Sequence, residues 1–225
     1  QGTGAAAFLQ GLAPGFEPGD LPFQARLFLL EALAGALLLP RADLPLNIFE
    51  PRYRALVTDA LARDRRIGMI QPQRPQEGAP LYSVGCLGKI GDVEALEDGR
   101  YNIVLEGEMR FRVVRELEAN TPFRQVEADL IDEPLEQVLA AVERAGFERE
   151  ARRFADAQGY AVDWNAVGRL DDEAIVNGIA QVAPFDIAAK QALLEANSLS
   201  DRAELTMQLM QFFGLHDGDG QVTMQ

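Results

Sequence analysis

From Tyr101 to Val113 the odd positions read Tyr101, Ile103, Leu105, Gly107, Met109, Phe111 and Val113, while the even ones include Asn102, Glu106, Glu108, Arg110 and Arg112. A period of two is the mark of a strand with one buried face, because successive side chains leave opposite sides of the pleat. Tyr82, Val84, Cys86 and Ile90 alternate in the same way, with Ser83 and Lys89 opposite. Val126, Ala128 and Leu130 alternate against Gln125, Glu127 and Asp129. Gly107 is expected at a bulge or bend. Asp98-Gly99 predicts a hairpin with a type I′ turn, since glycine tolerates its positive φ.

One helix interrupts this strand-rich half. Pro51 suits a first helical turn, and Tyr53, Leu56, Val57, Ala60 and Leu61 follow at helical spacing. Arg63, Arg65 and Arg66 then fall near its C-terminus, where the dipole favours cations. After about Asp132 the period becomes helical throughout. Pro134 predicts a helix start with Leu135, Val138, Leu139 and Val142 on one face. Asp171 predicts a cap for a helix carrying Ile175, Ile179 and Val182 and ended by Pro184. Asp186 predicts the next, with Leu193 and Leu194. Ser200 predicts the last, with Leu205, Leu209, Phe212 and Phe213 inward and Gly214 as the stop.

Strands followed by helices define an α+β chain with two subdomains, residues 21–132 and 133–214. Residues 1–20, rich in Gly, Ala and Pro, and residues 215–225 are expected as flexible ends. The run Leu27–Leu39 stays open between a helix through Glu31-Ala32-Leu33-Ala34 and two short buried strands around a loop at Gly35. It is shorter than the roughly 18 residues of a membrane span. Residues 1–26 precede it with Arg26 as their one basic residue, which does not resemble a secretory signal. A cytoplasmic setting is expected.

Composition narrows the chemistry. The 225 residues hold 21 basic and 35 acidic side chains, a net charge of -14. Residues 1–132 carry 14 basic against 19 acidic, and residues 133–225 carry 7 against 16. That balance opposes DNA, RNA and anionic membranes, which need positive surface. One Cys excludes an internal disulfide framework, and one His excludes multi-histidine metal sites. No G-x-x-x-x-G-K-[ST] phosphate loop is present.

The string Leu44-Pro45-Leu46-Asn47-Ile48-Phe49-Glu50-Pro51-Arg52-Tyr53-Arg54 resembles the signature of the Lon protease N-terminal, substrate-binding domain family. The resemblance continues through Gly68-Met69-Ile70-Gln71-Pro72, Val84-Gly85-Cys86-Leu87-Gly88-Lys89-Ile90 and Leu105-Glu106-Gly107-Glu108-Met109-Arg110-Phe111. It spans roughly residues 21–214 and implies a PUA-like β-pseudobarrel followed by an α-helical bundle. It also turns Leu27–Leu39 towards strands and a loop. The resemblance is to stand-alone bacterial members without ATPase and protease modules. Within the signature, Pro45 and Pro51 fix φ at both ends of a strand-to-helix corner. Phe49 and Tyr53 are placed to anchor the helix, Glu50 suits a helix N-terminus, and Arg52 can pair with it. Pro45, Glu50, Pro51, Arg52 and Gly88 are read as structural.

Catalytic readings are weak by comparison. A serine–lysine dyad needs Lys89 or Lys190 beside Ser83, Ser198 or Ser200, but Ser83 and Lys89 lie about 20 Å apart along an extended strand. Cys86 alternates with apolar residues and reads as a small buried hydrophobe. His216 falls in the tail. Asp217-x-Asp219-Gly220 matches part of a calcium loop without its bidentate glutamate. Asp171-Asp172-Glu173 is explained by a helix start. The cluster Arg110, Arg112 and Arg115 is offset by Glu106, Glu108, Glu116 and Glu118.

The sequence therefore predicts a non-catalytic module that binds exposed apolar or unfolded polypeptide segments in a groove between barrel and bundle. Phe49, Tyr53, Arg110 and Phe111 are its candidate peptide-binding residues. Client proteins, and a separate protease working with the chain, are the expected partners; no cofactor or metal is implied. The alternative is a small-molecule- or RNA-binding PUA-like domain.

Overall fold

The computed structural model describes residues 24–31, 35–76, 78–133 and 137–216. Strands β1 (Gln24–Glu31), β2 (Asp43–Ile48), β3 (Arg66–Ile70), β4 (Val84–Ala95), β5 (Tyr101–Leu117) and β6 (Gln125–Leu130) come first, with helix α1 (Pro51–Leu61) between β2 and β3. Helices α2 (Ala141–Gln158), α3 (Trp164–Val167), α4 (Asp172–Val182), α5 (Ile187–Glu195) and α6 (Leu199–His216) follow. This is the α+β order that the change of period near Asp132 predicts.

The sheet runs β2-β5-β4-β3-β1-β6, and β5 also pairs with β6. Five strands thus close into a barrel, and β2 extends it from the first half of β5. β5 is 17 residues long, enough to serve both roles. Closure matters because it removes unpaired strand edges. β1 and β3 are parallel; the other pairs are antiparallel.

Two apolar clusters hold the fold. Leu27, Leu29, Ile70, Leu87, Phe111, Val126 and Ala128 come from all five barrel strands and fill its interior. Phe111 lies over Gly68 and Gly85, where any Cβ would press on its ring. The larger cluster joins the outer faces of β3, β4 and β5 to α1, to Leu37, Leu38 and Leu39, and to the helices through Phe147, Phe154, Val176, Phe185 and Leu193.

The helical part is tied to the barrel by side chains that donate to backbone carbonyls of the 35–43 segment and of β4. Asn177 reaches Pro40 O (3.2 Å), Gln181 reaches Leu37 O (3.0 Å), Lys190 reaches Gly35 O (2.7 Å) and Gln191 reaches Val84 O (3.0 Å). Burial lowers the pKa of the Lys190 ammonium. Its bonds to Gly35 O and Gln181 O (2.9 Å) offset the lost water.

Several local expectations are corrected. Among the described residues of Leu27–Leu39 there is one strand, ending at Glu31; Leu37, Leu38 and Leu39 are buried without strand pairing. The bend at Gly107 is present as a register shift, and it is occupied: Arg41 N–H donates to Gly107 O (2.8 Å) and Gly107 N–H to Ala42 O (2.9 Å). A Cβ there would strike Leu39 O. The Asp98-Gly99 turn is not type I′, because only Gly99 has positive φ (80°); Gly99 N–H closes a turn on Leu96 O (2.9 Å). Arg63, Arg65 and Arg66 lie beyond the last turn of α1, which ends at Leu61, and Arg66 opens β3.

In the helical half, Asp171 and Asp186 cap as expected, accepting from Ala174 N–H and Ala189 N–H (2.7 Å each). Pro134 and Leu135 lie outside the described residues. The next helix begins only at Ala141, and Glu143 turns back to accept from Ala140 N–H (2.8 Å). Val138, expected inward, is 83% exposed in the segment before α2, where Leu139 N–H bonds Asp172 (2.8 Å); Val142, also expected inward, is 79% exposed in the first turn of α2. Val182 and Phe212 are exposed as well. Ser198, not Ser200, caps α6, accepting from Asp201 N–H (3.0 Å), and the helix runs past Gly214 to His216. The expected flexible arm, residues 1–20, and the partial calcium loop lie outside the described residues. So do residues 217–225 of the expected tail. Among the described residues no helix is long and apolar enough to cross a membrane.

Candidate functional site

A cleft of about 690 Å³ opens where barrel and helical part meet. Its barrel wall is built from Glu31 at the end of β1, Arg52 and Tyr53 in the first turn of α1, and Pro72, Gln73, Pro75, Gln76 and Tyr82. Its other wall is Phe185–Ala188, at the start of α5. Pro72, Pro75, Tyr82, Phe185, Ile187 and Ala188 give it an apolar character; Glu31, Arg52 and Asp186 bring charge to it.

Each wall is fixed locally. The 71–82 loop is clamped by Gln73 N–H on Pro80 O (2.8 Å), Tyr82 N–H on Gln71 O (2.9 Å) and Gln73 Nε2 on Leu81 O (3.0 Å). Phe185 packs on Phe213 (5.4 Å) and Phe154 (6.2 Å). The Asp186 cap and the Lys190 and Gln191 bonds then hold α5 in place.

The floor is more unusual. The Arg52 guanidinium lies 4.5 Å from the centre of the Tyr53 ring and bonds Glu50 at 3.0 Å. The Glu31 carboxylate, 8% exposed, is met at 3.4 Å by Arg52 and at 3.8 Å by Arg124. Both are longer than the roughly 2.7–2.9 Å of a good charge-assisted bond. The Tyr53 hydroxyl is buried and has no hydrogen-bond partner among the described residues. Burial, reinforced by Glu31, pushes the Tyr53 phenol well above its ordinary pKa. For Arg52 burial works downward, but Tyr53, Glu50 and Glu31 outweigh it and hold the guanidinium above its ordinary value.

Of the four candidate peptide-binding residues, Tyr53 lines the cleft. Phe49 does not; it stands 54% exposed at the corner before α1. Arg110 is buried against the helical part, bonding Glu133 (2.7 Å), Leu194 O (3.2 Å) and Ala196 O (2.7 Å). Phe111, expected in the groove, is fully buried inside the barrel, because the bulge at Gly107 and the bend of β5 turn it towards Gly68 and Gly85. Among the signature residues read as structural, Pro45 does not end the strand-to-helix corner as expected but lies inside β2, where the strand pairs with β5 and Pro45 faces Val104. Pro51 occupies the first turn of α1, Glu50 pairs with Arg52, and Gly88 leaves room for Leu38 and Leu105.

Other chemical candidates have structural partners. Cys86 is fully buried, and burial pushes its thiol far up. Ser200 donates to Glu143 (2.8 Å). In the Asp171–Glu173 run, Asp171 caps, Asp172 pairs with Arg144 (2.8 Å) and Glu173 with Arg41 (2.6 Å). Arg110, Arg112 and Arg115 do not form one patch: Arg110 is buried, Arg112 is exposed, and Arg115 pairs with Glu127. Among the described residues no group of His, Cys, Asp and Glu is arranged to hold a metal.

Glu31, Tyr82, Phe185 and Ile187 were not among the sequence candidates. Glu31 alone left a signal, as the one charge inside an apolar run.

The fold, a closed barrel followed by helices, is shared with solved Lon N-terminal domains. A crystal structure of a Lon N-terminal domain protein from Xanthomonas campestris superimposes with a TM-score of 0.61 at 21% identity, covering 84% of this chain and 98% of that one. The N-terminal domain of a Mycobacterium avium complex Lon protease gives 0.61 at 19% identity, covering 83% and 98%. The family model for the substrate-binding domain of ATP-dependent protease La (LON) matches residues 30–211, and the chain belongs to that family. It is 26% identical over 224 residues to Lon protease 2 of Myxococcus xanthus, covering 93% of this chain and 26% of that protein. It is 23% identical over 181 residues to the Lon protease of Escherichia coli, covering 76% and 23%. The chain thus spans about a quarter of the length of these curated relatives.

Proposed function

We propose that the chain is a binding module for polypeptide segments carrying exposed apolar side chains, as unfolded or damaged proteins do, and that the junction cleft receives them. The observation that carries this reading is the cleft itself, with Pro72, Pro75, Tyr82 and Ile187 in walls held rigid by the 71–82 loop and the α5 cap. Rigid walls lower the ordering cost of binding, and a few buried apolar side chains at about 25 cal/mol per Å² suffice for weak, reversible capture. Such capture suits a module that hands clients on, and a Lon-type protease acting with the chain is the partner we propose. The dispersal of the β5 arginines favours protein over RNA, since Arg110 is buried against Glu133 and Arg115 is paired with Glu127.

The test is fluorescence anisotropy with a labelled ten-residue apolar peptide. Saturable binding at micromolar concentrations is expected, weakened severalfold by Ile187→Ser with the melting temperature held. Absence of binding up to high micromolar concentration overturns the reading.

A further inference from the structure

Glu31 is a buried carboxylate whose two cationic neighbours stand at 3.4 and 3.8 Å. Beside it the Tyr53 hydroxyl has an unmet hydrogen-bonding capacity, and the Tyr53 ring offers its face to a cation. A buried carboxylate with long contacts and a buried hydroxyl with none are both costly. All three features ask for the same thing, a positive group with several N–H donors.

We propose that the floor of the cleft is a cation subsite, in which Glu31 and Tyr53 receive a lysine or arginine side chain of the bound polypeptide in place of Arg52. This rests on the peptide-binding reading above and specifies its client chemistry: a basic residue next to apolar ones. Arg52 is the built-in stand-in. It already bonds Glu50 at 3.0 Å, so it can leave Glu31 without losing a charged partner. The incoming cation donates to Glu31 and to the Tyr53 oxygen and lies against the ring, while its apolar neighbours meet Tyr82 and Ile187. Asp186, at the opposite wall, adds to the negative field, and the net charge of -14 draws basic segments in from a distance.

The experiment uses three labelled apolar peptides that differ at one central residue, Lys, Gln or Glu, measured by anisotropy on the full chain at low and high salt. The Lys peptide is expected to bind about threefold to tenfold tighter than the Gln peptide and the Glu peptide weaker still, with the spread narrowing as salt rises. Glu31→Gln is expected to erase the Lys preference while the Gln peptide still binds. Arg52→Met, which keeps the stem that packs on Tyr53, is expected to tighten the Lys peptide severalfold by removing the competitor. Equal binding of all three peptides by the wild-type chain overturns the subsite and leaves the peptide-binding reading standing. Failure of all three to bind overturns that reading itself. Because the wild-type series decides alone, poor folding of either variant does not shelter the proposal. A Lys preference that survives in folded Glu31→Gln, or an Arg52→Met chain that binds the Lys peptide no better, also overturns it.

Discussion

Arg110 of β5 donates to the carbonyl oxygen of Ala196, 2.7 Å away, so a barrel side chain satisfies the C-terminal end of a bundle helix. The same guanidinium bonds Leu194 O (3.2 Å) and the Glu133 carboxylate (2.7 Å). The last carbonyls of a helix lack internal partners and carry its negative pole, so a buried cation there is doubly favoured. This contact joins barrel and bundle electrostatically, as the Arg41–Glu173 pair does elsewhere.

Arg110→Ala is expected to destabilise the chain by about 3 kcal/mol, since it leaves the mostly buried Glu133 and two carbonyls unpaired. The melting temperature should fall by about 6–12 °C. Arg110→Lys should recover only part of this, because an ammonium lacks the planar fork that reaches all three acceptors. Calorimetry on the two variants checks it.

Phe111→Ala should cost about 3–5 kcal/mol in urea denaturation, as the loss of a fully buried aromatic does. A peptide-contact role would show instead as lost affinity with stability kept. Gly85→Ala should be destabilising for the matching reason, since its methyl group would overlap the Phe111 ring and approach Met69 O to 2.6 Å.

Phe49 and Tyr82 should part company. Phe49→Ala is expected to change neither stability, beyond about 0.5 kcal/mol, nor affinity for peptides in the cleft, because it is exposed and lies outside it. Tyr82→Ala should weaken peptide binding severalfold with little change in melting temperature. Parallel anisotropy titrations decide between them.

Stability should decline on the alkaline side. Burial raises the pKa of Cys86 and of Tyr53, so the folded chain keeps two protons that the unfolded chain releases. Their contribution is whole below the unfolded values, about 9 for the thiol and 10 for the phenol, and falls as pH rises through and above them. Each contributes a slope of about 1.4 kcal/mol per pH unit once its unfolded form ionises. Denaturation curves at pH 8 and pH 10.5 should differ accordingly, and Cys86→Ala and Tyr53→Phe should each flatten the decline.

The elements were legible where one face of one segment is buried. The Tyr53-Leu56-Val57-Ala60 stripe of α1 and the Asp171 and Asp186 caps are local patterns, and each is found in place; the odd residues of β5 change sides at the Gly107 bulge, Ile103 and Leu105 packing in the larger cluster and Phe111 inside the barrel. Val138, Val142, Val182 and Phe212 read as core residues because periodicity records apolar character, not cover; each is more than half exposed among the described residues. Phe111 and Arg110 read as groove residues because a strand pattern cannot show that a bulge turns one into the barrel and the other against α5.

The chain by itself thus determined the class of fold, the family signature around Leu44–Arg54 and the scarcity of catalytic groups, since all three are written in residue types and spacing. Only the tertiary structure decided where the cleft lies. The cleft draws on residue 31, residues 52–53, residues 72–73, 75–76 and 82, and residues 185–188, which no local period connects. They meet because β1, α1 and α5 converge on one end of a closed barrel, and the free energy that brings them together is the burial of other residues.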